Sequence, residues 1–314
     1  TTNQTVTIML PKAKSVWYLP KPKSSIFSNI KTKEYPTMTM IYGFIHNQMG
    51  IKLRKHIAST YADEQTHYQH YIKKYEIEED CIKTEYTLPA HGWGRINATQ
   101  SLSLSLFHRS SRHSFAKEKY LDFDMVSAQP KAFLELAKLD GINVDGLAEY
   151  CADPKAVRRE IVDYYKLEDK KFEDGTTITA MEQAKKLPIR MAFGGGIRIW
   201  KEQFVNKRID DMPLVKKMEI TLKNIRKKIV KENPHIRADL EEFGDADFKS
   251  KTEDEKDRSV MALYIQTWER IIQEHAIAYL VRTYNTPLCD IIPSQDGFMP
   301  LKNVILDKKI NIQT

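Results

Sequence analysis

The chain has 314 residues with 49 Lys and Arg against 42 Asp and Glu, a net charge of +7 that suits a polyanionic partner but does not single one out. Its longest apolar runs fall short of the roughly 18 residues that span a bilayer, and the first forty residues mix Lys, Pro, Ser and Thr without a signal-peptide core. Cys81, Cys151 and Cys289 lie far apart with no C-x-x-C pair, which argues against a disulfide framework or zinc knuckle and for a reducing compartment, cytoplasm or nucleus.

In chain order, residues 1–36 read as an extended arm with one apolar patch at Val16-Trp17-Tyr18-Leu19, a wrapping anchor rather than a base-stacking platform. From about 37 to 75 the pattern is helical and aromatic, and IKTEYTLPA (82–90) is predicted as a strand running into the corner HGWGR. His67 and His70 stand at i,i+3, but without a third ligand they read as surface histidines. LDFDMVSAQP (121–130) predicts a buried strand whose alternation puts Asp122 and Asp124 on one face, with Phe123 and Met125 on the other. Two buried carboxylates side by side need a metal ion, arginines or water. Pro130 is predicted to open a helix closed by Gly141.

Residues 144–185 read as helices with charged faces, interrupted by a solvated loop over 166–177. The segment 178–196, ITAMEQAKKLPIRMAFGGG, predicts a helix broken near Pro188 and stopped by three glycines. Residues 213–232 predict a basic helix with Lys216, Lys223, Lys227 and Lys231 on one stripe, which is a solvated face or a nucleic-acid contact. The charged, glycine-punctuated stretch 234–258 reads as a mobile connection, 259–283 as a long amphipathic helix, and the remainder as short strands. No internal repeat and no G-x-x-x-x-G-K-[ST] is present, so this is not a P-loop ATPase. The first residue is Thr, which leads to the expectation of a piece from a longer polypeptide.

A second unusual acid, Asp296, follows an apolar run in IIPSQDGFM and precedes Gly297. A strand-end Asp in one segment and a hairpin-tip Asp in another could hold two divalent ions about 3.5–4 Å apart for phosphoryl transfer. Hard oxygen ligands suit Mg²⁺, with Mn²⁺ as the alternative ion. Lys185 and Phe193 lie eight positions apart, about two turns, so a continuous helix would put them on one side. Taken singly, each motif has an ordinary reading: strand-capping acids paired with Arg109 or Arg112, a turn dipeptide, a wet helix face, a helix stop.

Together and in this order, the motifs resemble family A DNA polymerases. Lys185, Phe193 and Gly194 match the spacing of that family's fingers helix, and Ser294-Gln295-Asp296-Gly297 is similar to its apolar strand ending in His-Asp, with Gln in place of His. D-x-D-M-V-x-x-x-P, F-G-G and Q-D-G-F more closely resemble the transposon and viral branch of family-A-like polymerases, and Gly94-Arg95 with the SLSLSLFHR run looks like its upstream Gly-Arg segment. The resemblance covers about residues 92–300. It implies an α+β right-hand core with a small antiparallel palm sheet and mostly helical fingers and thumb. The N-terminal arm would take 1–36, the thumb 37–85, the palm 86–145 and 259–314, and the fingers 146–258.

The resemblance further implies template-directed transfer to a primer 3′-hydroxyl, with DNA primer-template and dNTPs as partners, a helicase in the same longer polypeptide, and no membrane. Asp124 and Asp296 would hold two ions, with Asp122 as an outer or alternate ligand. Lys185 would meet the triphosphate, and Phe193 and Gly194 would back the nascent pair. Met181 stands where the family has an arginine, so Arg190 or Lys186 would supply that charge. With Asp124 as the motif aspartate, Gln129 screens the sugar and SAQP is similar to a family B element; with Asp122, Ser127 takes that position. Arg95, Arg109, Arg112, Lys216, Lys223 and Lys227 would contact nucleic acid. A primase-like start with ribonucleotides and a non-catalytic DNA-binding module are the alternatives.

Overall fold

The computed structural model describes residues 15–22, 24–36, 70–76, 78–99, 103–107, 109–171, 177–205, 209–244 and 246–306, and within them the chain is α+β with small antiparallel sheets. The first described elements are β1 (Lys31–Glu34), β2 (Tyr75–Glu76), β3 (Cys81–Thr87), β4 (Asn97–Ala98), α1 (Arg109–Ala116) and β5 (Phe123–Asp124). Helices α2 (Ala128–Leu139), α3 (Asp145–Ala152) and α4 (Pro154–Tyr165) lead to a ribbon of β6 (Lys170–Lys171) and β7 (Thr177–Ile178). Next come α5 (Ala180–Ala192), α6 (Ile197–Phe204), α7 (Pro213–Glu232), α8 (Pro234–Phe243), α9 (Ala246–Ser250) and α10 (Glu253–Tyr284). The hairpin strands β8 (Ile291–Pro293) and β9 (Gly297–Pro300) and the short helix α11 (Lys302–Leu306) follow.

The chain divides into two units: a helical one holding the described residues up to Lys21 and 127–265, and a sheet-bearing one holding 22–126 and the described residues from 266 on. In the sheet-bearing unit β3 is central, with β1 antiparallel on one side (Lys31↔Glu85 to Glu34↔Ile82) and β2 on the other. Alternation along CIKTEYT buries Ile82, Thr84 and Tyr86 and exposes Glu85 and Thr87, as a strand with one wet face requires. Phe27, Tyr71, Ile82, Phe107, Ile277 and Ile292 belong to the core of this unit. Glu34 is fully buried in this unit. The Glu34 carboxylate accepts from the Tyr71 hydroxyl at 2.7 Å, the Ser103 hydroxyl at 2.9 Å, the Leu104 amide at 2.7 Å and the Tyr86 hydroxyl at 3.2 Å. Burial still holds its pKa above the usual carboxylate value, against the lowering effect of those bonds.

In the helical unit α5 begins with a capping box between Thr179 and Glu182. It then runs through Pro188 without the predicted break, because Gln183, Ala184, Leu187, Pro188, Met191 and Ala192 form a buried stripe. Packing of that stripe offsets the roughly 3 kcal/mol that an interior proline costs a helix. Helix α7 is as its periodicity predicts: Leu214, Met218, Leu222, Ile225 and Ile229 are buried, while Lys216, Lys223, Lys227 and Lys231 are exposed.

The expected mobile connection over 234–258 is instead α8, α9 and the start of α10. Pro234 at the first turn and the buried Ile236 and Leu240 set α8, and Arg237 pairs with Glu241, Glu253 and Asp257. Charges at helical spacing read as a solvated linker when their partners three or four residues on are not considered. The arm is anchored where the apolar patch suggested. Trp17 and Leu19 are buried, with Asn233 accepting from the Leu19 amide at 2.8 Å and donating to the Trp17 carbonyl at 2.7 Å.

Two further expectations change. Residues 302–306 form α11 rather than a strand, and the solvated loop over 166–177 contains β6 and the first residue of β7. The thumb-like region assigned to 37–85 lies outside the described residues over 37–69; its described part from Tyr75 contributes β2 and the first residues of β3. His67 is likewise outside the described residues.

Candidate active site

Strand β5 pairs antiparallel with β9, setting Phe123 opposite Phe298 and Asp124 opposite Gly297. The two phenyl rings stack with centroids 5.3 Å apart, which fixes the register. One residue further, the Met125 amide donates to the Asp296 carbonyl at 3.1 Å, so the pairing continues past Asp124 and carries the hairpin tip beside it. The β8–β9 turn is closed by the Ser294 amide donating to the Gly297 carbonyl at 2.9 Å. Asp124 and Asp296, 172 positions apart in sequence, therefore stand next to each other at one end of a three-stranded sheet.

Gly297 makes this approach feasible. A Cβ at that position would collide with the Phe123 carbonyl oxygen and come within 2.8 Å of Asp124 Oδ1. Helix α10 secures the turn from its other side through Gln273, which is buried and whose Nε2 donates to the Ser294 carbonyl at 2.6 Å and also to the Gly297 carbonyl. Sequence reasoning missed Gln273. It sits in the charged run ERIIQEH, where nothing local marks it as buried, and only the packed structure shows the carbonyl partners that a buried amide must find.

The expectation of two buried carboxylates is corrected. The alternation holds, with Phe123 and Met125 half-buried, but Asp122 and Asp124 are both exposed and β5 is only two residues long. Both acids reach solvent, so the cost of burying two adjacent charges does not arise. Asp122 lies 4.0 Å from Arg112, whose Nη1 donates to the Ser105 carbonyl at 3.2 Å. Among the described residues no group of three or more His, Cys, Asp or Glu gathers as a metal cage. What the tip carries is two acids that are neighbours along the paired backbones, the exposed Asp124 and the half-buried Asp296. That donor set fits a hard ion such as Mg²⁺, which commonly takes one or two carboxylates and fills its remaining positions with water and substrate phosphate.

Arg95 is held by the buried Glu269, with Nε and Nη2 donating to Oε2 at 3.2 and 2.7 Å. The preceding Gly94, at φ 84°, donates its amide to Thr267 Oγ1 at 2.7 Å. These bonds pin the Gly-Arg corner to α10. Arg109 is the first residue of α1.

The other predicted residues fall in the helical unit. Ser127, in the left-handed region at φ 53°, precedes α2, and Gln129 lies in its first turn. Lys185 and Lys186 are exposed on α5, where Lys186 Nζ sits 5.7 Å from the Phe204 ring centre. Phe193 caps α5, and Gly194 follows at φ 79°, its amide donating to the Met191 carbonyl at 2.9 Å.

Around this turn the fold gathers arginines from three helices. A Cβ on Gly195 would meet Arg190 Cγ at 2.5 Å, and one on Gly194 would meet Arg226 Nη1 and Arg258 Cγ, each at 2.9 Å. Arg226 donates to the Gly194 carbonyl at 3.3 Å and pairs with Asp254 at 3.2 Å; Arg258 pairs with the same Asp254. Of these, only Arg190 was singled out from sequence. Arg226 and Arg258 lie in charge-rich helices, where nothing local marks them as neighbours of a distant glycine turn.

No helix among the described residues is long and apolar enough to cross a membrane. No known family model matches the chain, and no curated protein matches it.

Proposed function

We propose that the chain is a template-directed nucleotidyl transferase that adds deoxynucleotides to a primer 3′-hydroxyl on DNA and releases pyrophosphate. The observation that supports this reading most is the β5–β9 pairing, which makes the backbones of Asp124 and Asp296 neighbours at one sheet end. Mg²⁺ or Mn²⁺, when bound there, supplies positive charge for the attacking oxygen and the departing pyrophosphate. The chain's own contribution is positioning and electrostatics rather than covalent catalysis. Asp124 and Asp296 are assigned as ligands, with Asp122 as an outer acid. Lys185, helped by Arg190 or Lys186, is assigned to the triphosphate, Phe193 and Gly194 to the nascent pair, and Gln129 or Ser127 to the sugar. Arg95, Arg109, Arg112 and the α7 lysines are assigned to the nucleic-acid backbone. A helicase in the same longer polypeptide and a role in replicating a virus or mobile element follow from the family resemblance, as does priming with ribonucleotides as the variant activity.

The test is extension of a labelled primer on a DNA template with Mg²⁺ and dNTPs, comparing the wild type with Asp124→Ala. Extension that disappears in a folded Asp124→Ala protein supports the reading. A folded wild type that binds DNA and never extends it sinks the reading. The exposed lysines along α7 favour a second one, DNA binding without catalysis, which predicts binding indifferent to chelation and no nucleotide incorporation.

A further inference from the structure

A cavity of about 280 Å³ opens in the sheet-bearing unit, where α1, the turn after it and the Tyr120–Leu301 bridge meet the start of α11. Its cations come from three places in the chain: Arg112 on α1, Lys117 in the turn, and Lys302 at the head of α11. His113 stands beside them, and Asp122 is the carboxylate in the lining. Tyr120, Leu121 and Met299 supply an apolar wall. The fold fixes two of the cationic heads, Arg112 through the Ser105 carbonyl and Lys302 through the Lys117 carbonyl. A guanidinium carries five N–H donors and an ammonium three, so each head keeps donors for a ligand.

Three permanent cations facing one carboxylate select an anion. The apolar wall selects against a bare inorganic one, because a small hydrated ion gains nothing from the leucine surface that Leu121 presents. The cavity lies just below the roughly 300–1,000 Å³ of pockets for drug-sized ligands, which suits one small organic unit. A phosphate joined to a sugar and a base meets each requirement. Asp122, two residues before Asp124 on the same strand segment, adds an acceptor suited to a hydroxyl or base N–H.

We propose that this pocket seats a single nucleotide unit of a nucleic-acid strand, its phosphate against Arg112, Lys117 and Lys302 and its sugar or base against Leu121 and the edge of Tyr120. The role as the approach of the primer strand toward Asp124 rests on the nucleotidyl-transfer reading; the binding itself does not.

The test is carried out with the full chain in EDTA, so that no divalent ion or turnover contributes. A short fluorescent DNA strand is titrated against wild type, Lys117→Gln/Lys302→Gln, and a charge-matched control, Lys155→Gln/Lys249→Gln, exposed residues of α4 and α9. A strand bearing photoreactive thiothymidine is crosslinked in parallel and the modified residue mapped. The expected results are a loss of affinity of about tenfold or more in the Lys117→Gln/Lys302→Gln variant, a much smaller change in the charge-matched control, and crosslinks at Leu121 or Tyr120. Equal affinity in a folded Lys117→Gln/Lys302→Gln variant, or crosslinks confined to other elements, overturns the proposal. Competition separates the ligand sources. Displacement of the strand from the pocket by inorganic phosphate as readily as by thymidine monophosphate marks a plain anion site and overturns it. Tight thymidine monophosphate binding that leaves the strand in place marks a free-nucleotide pocket and also overturns it. If the wild type never extends a primer yet shows the expected binding and crosslinks, the nucleotidyl-transfer reading fails and this assignment stands.

Discussion

Asp124 Oδ1 lies 2.8 Å from the point where the first side-chain carbon of residue 297 would sit, so the carboxylate is set against the bare backbone of Gly297. The contact fixes both the identity of residue 297 and the position of the acid. Gly297→Ala forces β9 away from the Phe123 carbonyl. Overpacking of this kind costs about 1–3 kcal/mol, and the movement carries Asp296 away from Asp124. The expected outcome is a lower urea midpoint together with weaker Mn²⁺ binding measured by paramagnetic relaxation. An alanine variant with wild-type stability and wild-type metal affinity would show that the sheet end does not depend on this approach.

Gln273 secures the same turn from α10. Gln273→Leu takes the side-chain donor from the Ser294 carbonyl and one of two donors from the Gly297 carbonyl, which keeps the Ser294 amide, and an unsatisfied buried acceptor costs about 1–3 kcal/mol. Gln273→Glu is expected to be worse, because it puts acceptor against acceptor. Primer extension should fall in Gln273→Leu, with kcat affected more than the KM for dNTP, since what is lost is the alignment of Asp296. A change in KM alone would assign the residue to nucleotide binding instead.

Much of this was readable in the sequence, and the limit has a physical reason. The α7 stripe, the Thr179–Glu182 cap and the Asp122/Asp124 alternation are local patterns, set by residues within a turn or two. The adjacency of Asp124 and Asp296 depends on which strand pairs with which and in what register, and local periodicity carries no such information. Burial was misjudged at β5 for a related reason: Phe123 and Met125 resemble core residues, but a two-residue strand at the end of a sheet leaves their acidic neighbours in water. Pro188 was read as a break because the stripe that outweighs it, from Gln183 to Ala192, is a property of the packed helix. Gln273, Arg226 and Arg258 became meaningful only through contacts with distant glycines and turns.

Glu34 gives the fold a pH signature. Its folded pKa lies above the ordinary carboxylate value because burial outweighs its hydrogen bonds. Between the ordinary value and the raised one the native state binds more protons than the unfolded chain, so stability falls as pH rises through that window. At pH values below the window the contribution is fully present. Glu34→Gln, neutral throughout, should flatten this slope in urea midpoints measured across the acid range. Glu34→Ala should instead destabilise at every pH by about 1–3 kcal/mol for each buried donor left without its acceptor, among them the Leu104 amide and the Tyr71 hydroxyl. An unchanged slope in Glu34→Gln would place the linkage elsewhere.

The α7 lysines separate a solvated face from a nucleic-acid interface. Lys216, Lys223 and Lys227 are exposed on a helix whose opposite side is buried, so replacing them with glutamine leaves the core untouched. Each phosphate contact to duplex DNA contributes a slope of roughly −0.9 to log Kobs against log[salt], by release of condensed counterions. If all three lysines contact phosphates, the triple variant should lose close to three such increments and bind more weakly at every salt concentration below the crossing point, while its urea midpoint stays that of the wild type. A wild-type slope in the triple variant would return α7 to the status of an ordinary wet helix face. The charge attraction would then have to come from other basic groups, the arginines around Gly194 or the cations lining the 280 Å³ cavity. The same titration with Arg226→Gln and with Lys117→Gln/Lys302→Gln decides between those two, since each removes cations from one cluster alone.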